Sequence, residues 1–228
     1  MRRVVLVLVV MALALVVASG VALAVTKIGT DGPDVLRGTN KADNLLGRGG
    51  QDDILGRGGN DSLLGGPGRD NVFGGEFGGE FGFGPQGGDK NLVGGEGNDR
   101  VLGGDGSDNL IGGSGNDLVD GFRGADDITG GEGTDFLDDG PFRETAKDNL
   151  GGGDGSDVFL VRNEPAAKDV VVCGDGFDRV SADRKDVVAP DCEKVAVGRA
   201  AVAELFEELE EVGFFESFDE GLPPFPGE

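Results

Sequence analysis

The chain has 228 residues, 46 of them glycine, and contains no tryptophan, tyrosine or histidine. The missing histidines exclude a Ser-His-Asp or Cys-His nucleophilic centre and a His-ligated zinc within this chain, and two cysteines are too few for a four-cysteine zinc site. A formal charge of −23, from 43 acidic and 20 basic residues, disfavours nucleic acid and an anionic membrane surface as partners.

Residues 1–24 read as a secretory signal peptide. Arg2 and Arg3 precede an apolar run from Val4 to Ala18, and Ala22, Leu23 and Ala24 form a small-x-small cleavage site. The competing reading is an uncleaved membrane anchor, since residues 4–25 are long enough to span. On either reading the remainder faces outward, so the expected location is secreted and extracellular, with no membrane contact once the signal is removed.

Two blocks of nine-residue units follow. The block 25–73 holds GTDGPDVLR, GTNKADNLL, GRGGQDDIL, GRGGNDSLL and GGPGRDNVF. Their sixth positions are Asp34, Asp43, Asp52, Asp61 and Asp70, and their eighth are Leu36, Leu45, Ile54, Leu63 and Val72. The second block, 94–160, opens with GGEGNDRVL, GGDGSDNLI, GGSGNDLVD, GFRGADDIT and GGEGTDFLD. Here the aspartates are Asp99, Asp108, Asp117, Asp126 and Asp135, and the aliphatic residues Val101, Leu110, Val119, Ile128 and Leu137.

Each part of the unit has a physical reason. Glycines at positions one, two and four supply backbone angles that other residues resist. Positions seven to nine are too few for a helix and suit a short strand of period two, with its single inward residue at position eight. One unit buries nothing alone, whereas stacked units build a continuous narrow core. The turns stack as well, lining up aspartate carboxylates beside backbone carbonyls in an all-oxygen setting that suits calcium. Collagen is excluded because glycine does not recur at every third place. An EF-hand is a poor alternative, since the stretch 105–116 has no glutamate at the twelfth loop position.

These units resemble the haemolysin-type (RTX) calcium-binding nonapeptide repeat, GGxGxDxUx. The resemblance implies an all-β parallel β-roll (a β-solenoid) with two nonapeptides per turn. It also implies several Ca2+ ions between turns on the same edge, held by position-six carboxylates and turn carbonyls. The metal ligands carried over are Asp34, Asp43, Asp52, Asp61, Asp70, Asp99, Asp108, Asp117, Asp126, Asp135 and Asp157. Same-edge carboxylates then stand eighteen residues apart: Asp34 with Asp52 and Asp70, Asp43 with Asp61, Asp99 with Asp117 and Asp135, Asp108 with Asp126. The first two units depart from the pattern, with Thr30 and Thr39 at position two, and read as an N-terminal cap with weak or no metal binding.

Between the blocks, 74–93 reads as degenerate, calcium-poor repeats: GGEFGGEFG, two extra residues, then PQGGDKNLV. Phe81 and Leu92 are expected to continue the core, while Gly79 and Lys90 stand at position six and break the ladder in two. Phe77 and Phe83 offer the alternative of a partner surface. After Asp138 the unit RETAKDNLG keeps Asp148 and Leu150 in phase without turn glycines, and GGDGSDVFL restores the pattern with Asp157 and Phe159. The segment 161–198 begins with a twelve-residue excursion, 161–172, and continues with CGDGFDRVS, which carries Asp178 and Val180. Cys173 and Cys192, an even pair in an exported chain, read as a structural disulfide stapling this C-terminal cap. In 199–228, Val202, Leu205, Phe206, Leu209 and Val212 predict a short amphipathic helix ahead of an acidic, disordered tail. RTX proteins often end in a signal for one-step export; the N-terminal signal departs from that habit.

The leading functional reading is an exported, non-catalytic calcium-binding protein that calcium folds or stabilises. The alternatives are a cell-surface adhesive or structural spacer and, with little chain left outside the repeats, a relative of an RTX hydrolase. No protein partner is named by the sequence.

Overall fold

A computed structural model describes residues 23–75, 91–140, 145–161 and 167–197. Most of the expected signal, the Phe-bearing stretch 76–90, the expected helix and the acidic tail lie outside the described residues. Among the described residues there is no helix; eighteen strands form two nine-stranded parallel sheets. Successive strands alternate between the sheets, so each coil of the chain adds one strand to each. The fold is the all-β parallel β-roll expected from the repeats.

The strands outrun the expected three residues. Asn109–Ser114, for example, runs from position seven of one unit through position three of the next. Its two glycines therefore pair between turns as strand instead of belonging wholly to the loop, and the turn proper shrinks to positions four to six. With period two, positions six, eight and one all face inward.

Position eight builds the core as two columns. In the first sheet Leu45, Leu63, Leu92, Leu110, Ile128, Leu150 and Val171 stack in register. In the second, Leu36, Ile54, Val72, Val101, Val119, Leu137, Phe159 and Val180 do the same. All are buried. Each such side chain contributes roughly 1.5–3 kcal/mol by leaving water, but the core is one side chain wide per sheet. The roll depends on its edges as much as on this column.

The register runs straight across the stretch between the blocks. Leu63 pairs directly with Leu92, and Val72 directly with Val101. Leu92 continues the core as expected; Phe81 lies outside the described residues. At the other end, the excursion 161–172 contains a complete rung. Leu150 pairs with Val171, and Val161 and Cys173 join the core. The Cys173–Cys192 disulfide is present, with its Cα atoms 5.3 Å apart.

Candidate metal-binding edges

Turns leading from the first sheet to the second form one edge, here the first edge; the return turns form the second. The in-phase aspartates sit at such turns, and along each edge one rule recurs: the backbone N–H of one aspartate donates to Oδ1 of the aspartate one coil further on. On the first edge the rule links Asp34 to Asp52 (2.9 Å), Asp52 to Asp70 (2.8 Å), Asp99 to Asp117 (2.8 Å) and Asp117 to Asp135 (2.8 Å). On the second it links Asp43 to Asp61 and Asp108 to Asp126, both at 2.8 Å. These are the same-edge partners expected from the spacing.

The structure adds links that spacing did not give. Asp70 donates to Asp99 at 2.7 Å, so the first edge is continuous where a break was expected. Asp135 donates to Asp157, and Asp157 to Asp178. On the second edge Asp126 donates to Asp148 and Asp148 to Asp169. Asp169 was hidden because no glycine marks its turn; its signal was the inward pattern of Asp169, Val171 and Cys173 at every second residue. Lys90, the expected interruption of the second edge, lies outside the described residues.

Oδ1 is thus satisfied, and Oδ2 decides the chemistry. On the first edge Asp52, Asp70, Asp99, Asp117, Asp135 and Asp157 are at most 3% exposed, and their Oδ2 atoms receive no hydrogen bond. The position-one glycines show what lies against them. A Cβ added at Gly112 would stand 2.5 Å from Asp117 Oδ2 and 2.8 Å from the Gly130 carbonyl oxygen of the next coil. At Gly47 it would stand 2.2 Å from Asp52 Oδ2 and 2.6 Å from the Gly65 oxygen. Two acceptors therefore crowd one glycine with no N–H or O–H donor between them. Leaving a buried charged acceptor unsatisfied is costly, and the donor set, carboxylate plus carbonyl oxygen, is that of a hard cation.

The electrostatics agree. Burial pushes Asp117 up to about 8, Asp70 and Asp157 to about 7, and Asp99 and Asp135 to about 6, against the backbone N–H bond that each accepts. At Asp70, Asp117 and Asp157 the neighbouring ladder carboxylates add to the rise. These groups resist ionising without positive charge nearby.

The first two turns differ. Asp34 Oδ2 accepts from the Thr30 backbone N–H and from the Thr30 hydroxyl at 2.9 Å. Asp43 Oδ2 accepts likewise from Thr39, with the hydroxyl at 3.1 Å. Position-two threonine thus supplies donors that the later turns lack.

Asp139 is another departure. It takes the place of the position-one glycine, and among the described residues Asp139, Asp148 and Asp169 form the one group of three acidic side chains with oxygens all within 4.8 Å. All three are buried.

Residues 28–63, 47–77, 87–119 and 102–137 each match the family model of the RTX calcium-binding nonapeptide repeat. Residues 28–77 and 87–137 form an RTX repeat array. Comparison with curated proteins and with solved structures gives no match. The RTX motif accounts for the inward aspartates, the glycine turns and the parallel roll together, and the matched repeat is a calcium-binding one. Beyond residue 137 the same ladder continues through turns that the RTX model does not cover.

Proposed function

We propose that this chain is an exported calcium-binding protein, without catalysis, whose roll is set by Ca2+ held between stacked turns. One observation carries the reading: the run of buried, donor-less Oδ2 atoms on the first edge, each against a carbonyl oxygen of the next coil. Bound calcium would supply the positive charge that these groups lack. The chain's own part is to aim them. The N–H ladder fixes Oδ1, the strand period turns the carboxyl inward, and position-one glycine keeps the meeting point open.

The ligands proposed are Asp52, Asp61, Asp70, Asp99, Asp108, Asp117, Asp126, Asp135 and Asp157. Asp34 and Asp43 are weak ligands or none, because Thr30 and Thr39 already occupy their Oδ2 atoms. Sites of extracellular modules bind at roughly 10⁻⁴–10⁻³ M. At such affinity the roll stays loose where calcium is scarce and sets outside the cell, since ligand bound only to the folded state stabilises it by linkage. The apolar N-terminal segment with its cleavage site and the paired cysteines support export.

The test is far-UV circular dichroism during a calcium titration from a chelated start, with magnesium as control. A cooperative, chelator-reversible gain of β signal with calcium, and little with magnesium, is expected. A spectrum fully folded in chelator and indifferent to calcium would overturn the reading.

A further inference from the structure

The last glycine turn breaks the position-one rule. Strand pairing sets Gly151 against Val172 and Gly153 against Gly174, which places Cys173 in register with Gly152. At Gly152 an added Cβ would lie 2.3 Å from Asp157 Oδ2 and 2.4 Å from the Cys173 carbonyl oxygen. The point that a carboxylate and a carbonyl oxygen crowd at the earlier position-one glycines is therefore the point a side chain enters at Cys173. That side chain is fully buried, and it runs on to Cys192 in the next turn of the same edge.

The residues beside Cys192 complete the coil by side chain. Asp191 Oδ2 accepts the Gly174 N–H at 3.2 Å, and Glu193 Oε2 accepts the Asp178 N–H at 2.9 Å. Glu193 thus takes the part that the next aspartate's Oδ1 plays on every earlier rung. The strand Lys194–Val197 then pairs with Arg179–Ala182 and ends the second sheet.

We propose that the Cys173–Cys192 disulfide stands in for the cation at the final first-edge turn. A covalent tie through position one joins the last two coils where the earlier coils depend on calcium. It holds Glu193 and Asp191 against the last backbone donors and makes the C-terminal end of the roll independent of calcium but dependent on oxidation. This inference rests on the calcium reading of the central turns. Asp178 Oδ2 remains a buried acceptor without a donor, like the ladder carboxylates before it, so the disulfide replaces the cation's tie between coils and not its charge.

The test is hydrogen exchange of the full chain, read by mass spectrometry in chelator and in calcium. It compares oxidised protein, protein reduced with dithiothreitol, and a Cys173→Gly/Cys192→Ser variant. In the reduction one dithiol gives two electrons and two protons; the S–S bond becomes two thiols and the reagent closes to its own cyclic disulfide. In chelator, with the disulfide intact, peptides from 170–182 should be protected at least about tenfold over those from 109–123. Reduction should erase that difference. The variant restores glycine at position one, so protection of 170–182 should then appear only with calcium. Equal exchange of the two regions in oxidised, chelated protein would overturn the proposal. So would a difference that survives reduction. Protection of 109–123 in chelator equal to that in calcium is a separate outcome: it would overturn the calcium reading, and this inference with it.

Discussion

The first two turns and the central turns of this roll solve one problem in opposite ways. At the central turns the position-six carboxylate is buried and its Oδ1 accepts a backbone N–H from the neighbouring coil, as Asp43 Oδ1 does from Val25. Asp34 is half-buried and starts the ladder by donating its own N–H to Asp52. At Asp34 and Asp43 the second oxygen is met by threonine donors from the same turn. At Asp99, Asp117 and Asp135 it meets a carbonyl oxygen and no donor. The threonine turn is complete as a protein structure. On the calcium reading proposed above, the glycine turn is completed by a cation, and folding is conditional on it.

The largest expected consequence is with pH. The central carboxylates have folded-state values raised to about 6–8, above the unfolded range near 4. A raised acid favours the folded state where it is protonated. The contribution is therefore present in full below about pH 4 and is lost as pH rises through about 6–8. Thermal melts in chelator should show the glycine turns losing stability across that window. Calcium affinity should rise over the same window as protons cease to compete. A flat profile in chelator would erase the distinction between the two kinds of turn.

Asp117→Asn sharpens the comparison at one site. The amide keeps an oxygen for the Asp99 N–H and turns an N–H toward the Gly130 carbonyl, converting an acceptor–acceptor clash into a hydrogen bond. Urea melts in chelator should gain about 1–3 kcal/mol, while in saturating calcium the variant should be less stable than the parent. The sign reversal is the diagnostic. Gly112→Ala should lose stability both with and without calcium, because its Cβ would stand 2.5 Å from Asp117 Oδ2 and 2.8 Å from the Gly130 oxygen and supplies no donor; a calorimetric titration would also show a site removed.

The smallest effect belongs to the threonine turns. Thr30→Val removes the hydroxyl from Asp34 but leaves the backbone donor. The loss should be about 1 kcal/mol or less, with or without calcium, and the calcium titration should not move.

Much of this was legible in the sequence because inward positions are enforced by strand period. A nine-residue repeat with Asp at six and an aliphatic residue at eight names both the ladder and the core, as Asp117 and Val119 show. What was not legible lies where residues are added between rungs and the nine-residue phase is lost. The step from Asp70 to Asp99 passes a long addition, so phasing by nines reported a break where the edge is continuous. Asp169 was missed for the same reason, its turn being lengthened and stripped of glycine. The donors from Thr30 and Thr39 needed coordinates, because sequence alone marked those turns as irregular without saying what completes them.

Diffraction from crystals grown with calcium, using its anomalous signal, tests the central claim most directly. Peaks should lie about 2.3–2.6 Å from Oδ2 of Asp52, Asp70, Asp99, Asp117 and Asp135, and none beside Oδ2 of Asp34 or Asp43. Equal peaks at the threonine turns, or none at the glycine turns, would contradict the account.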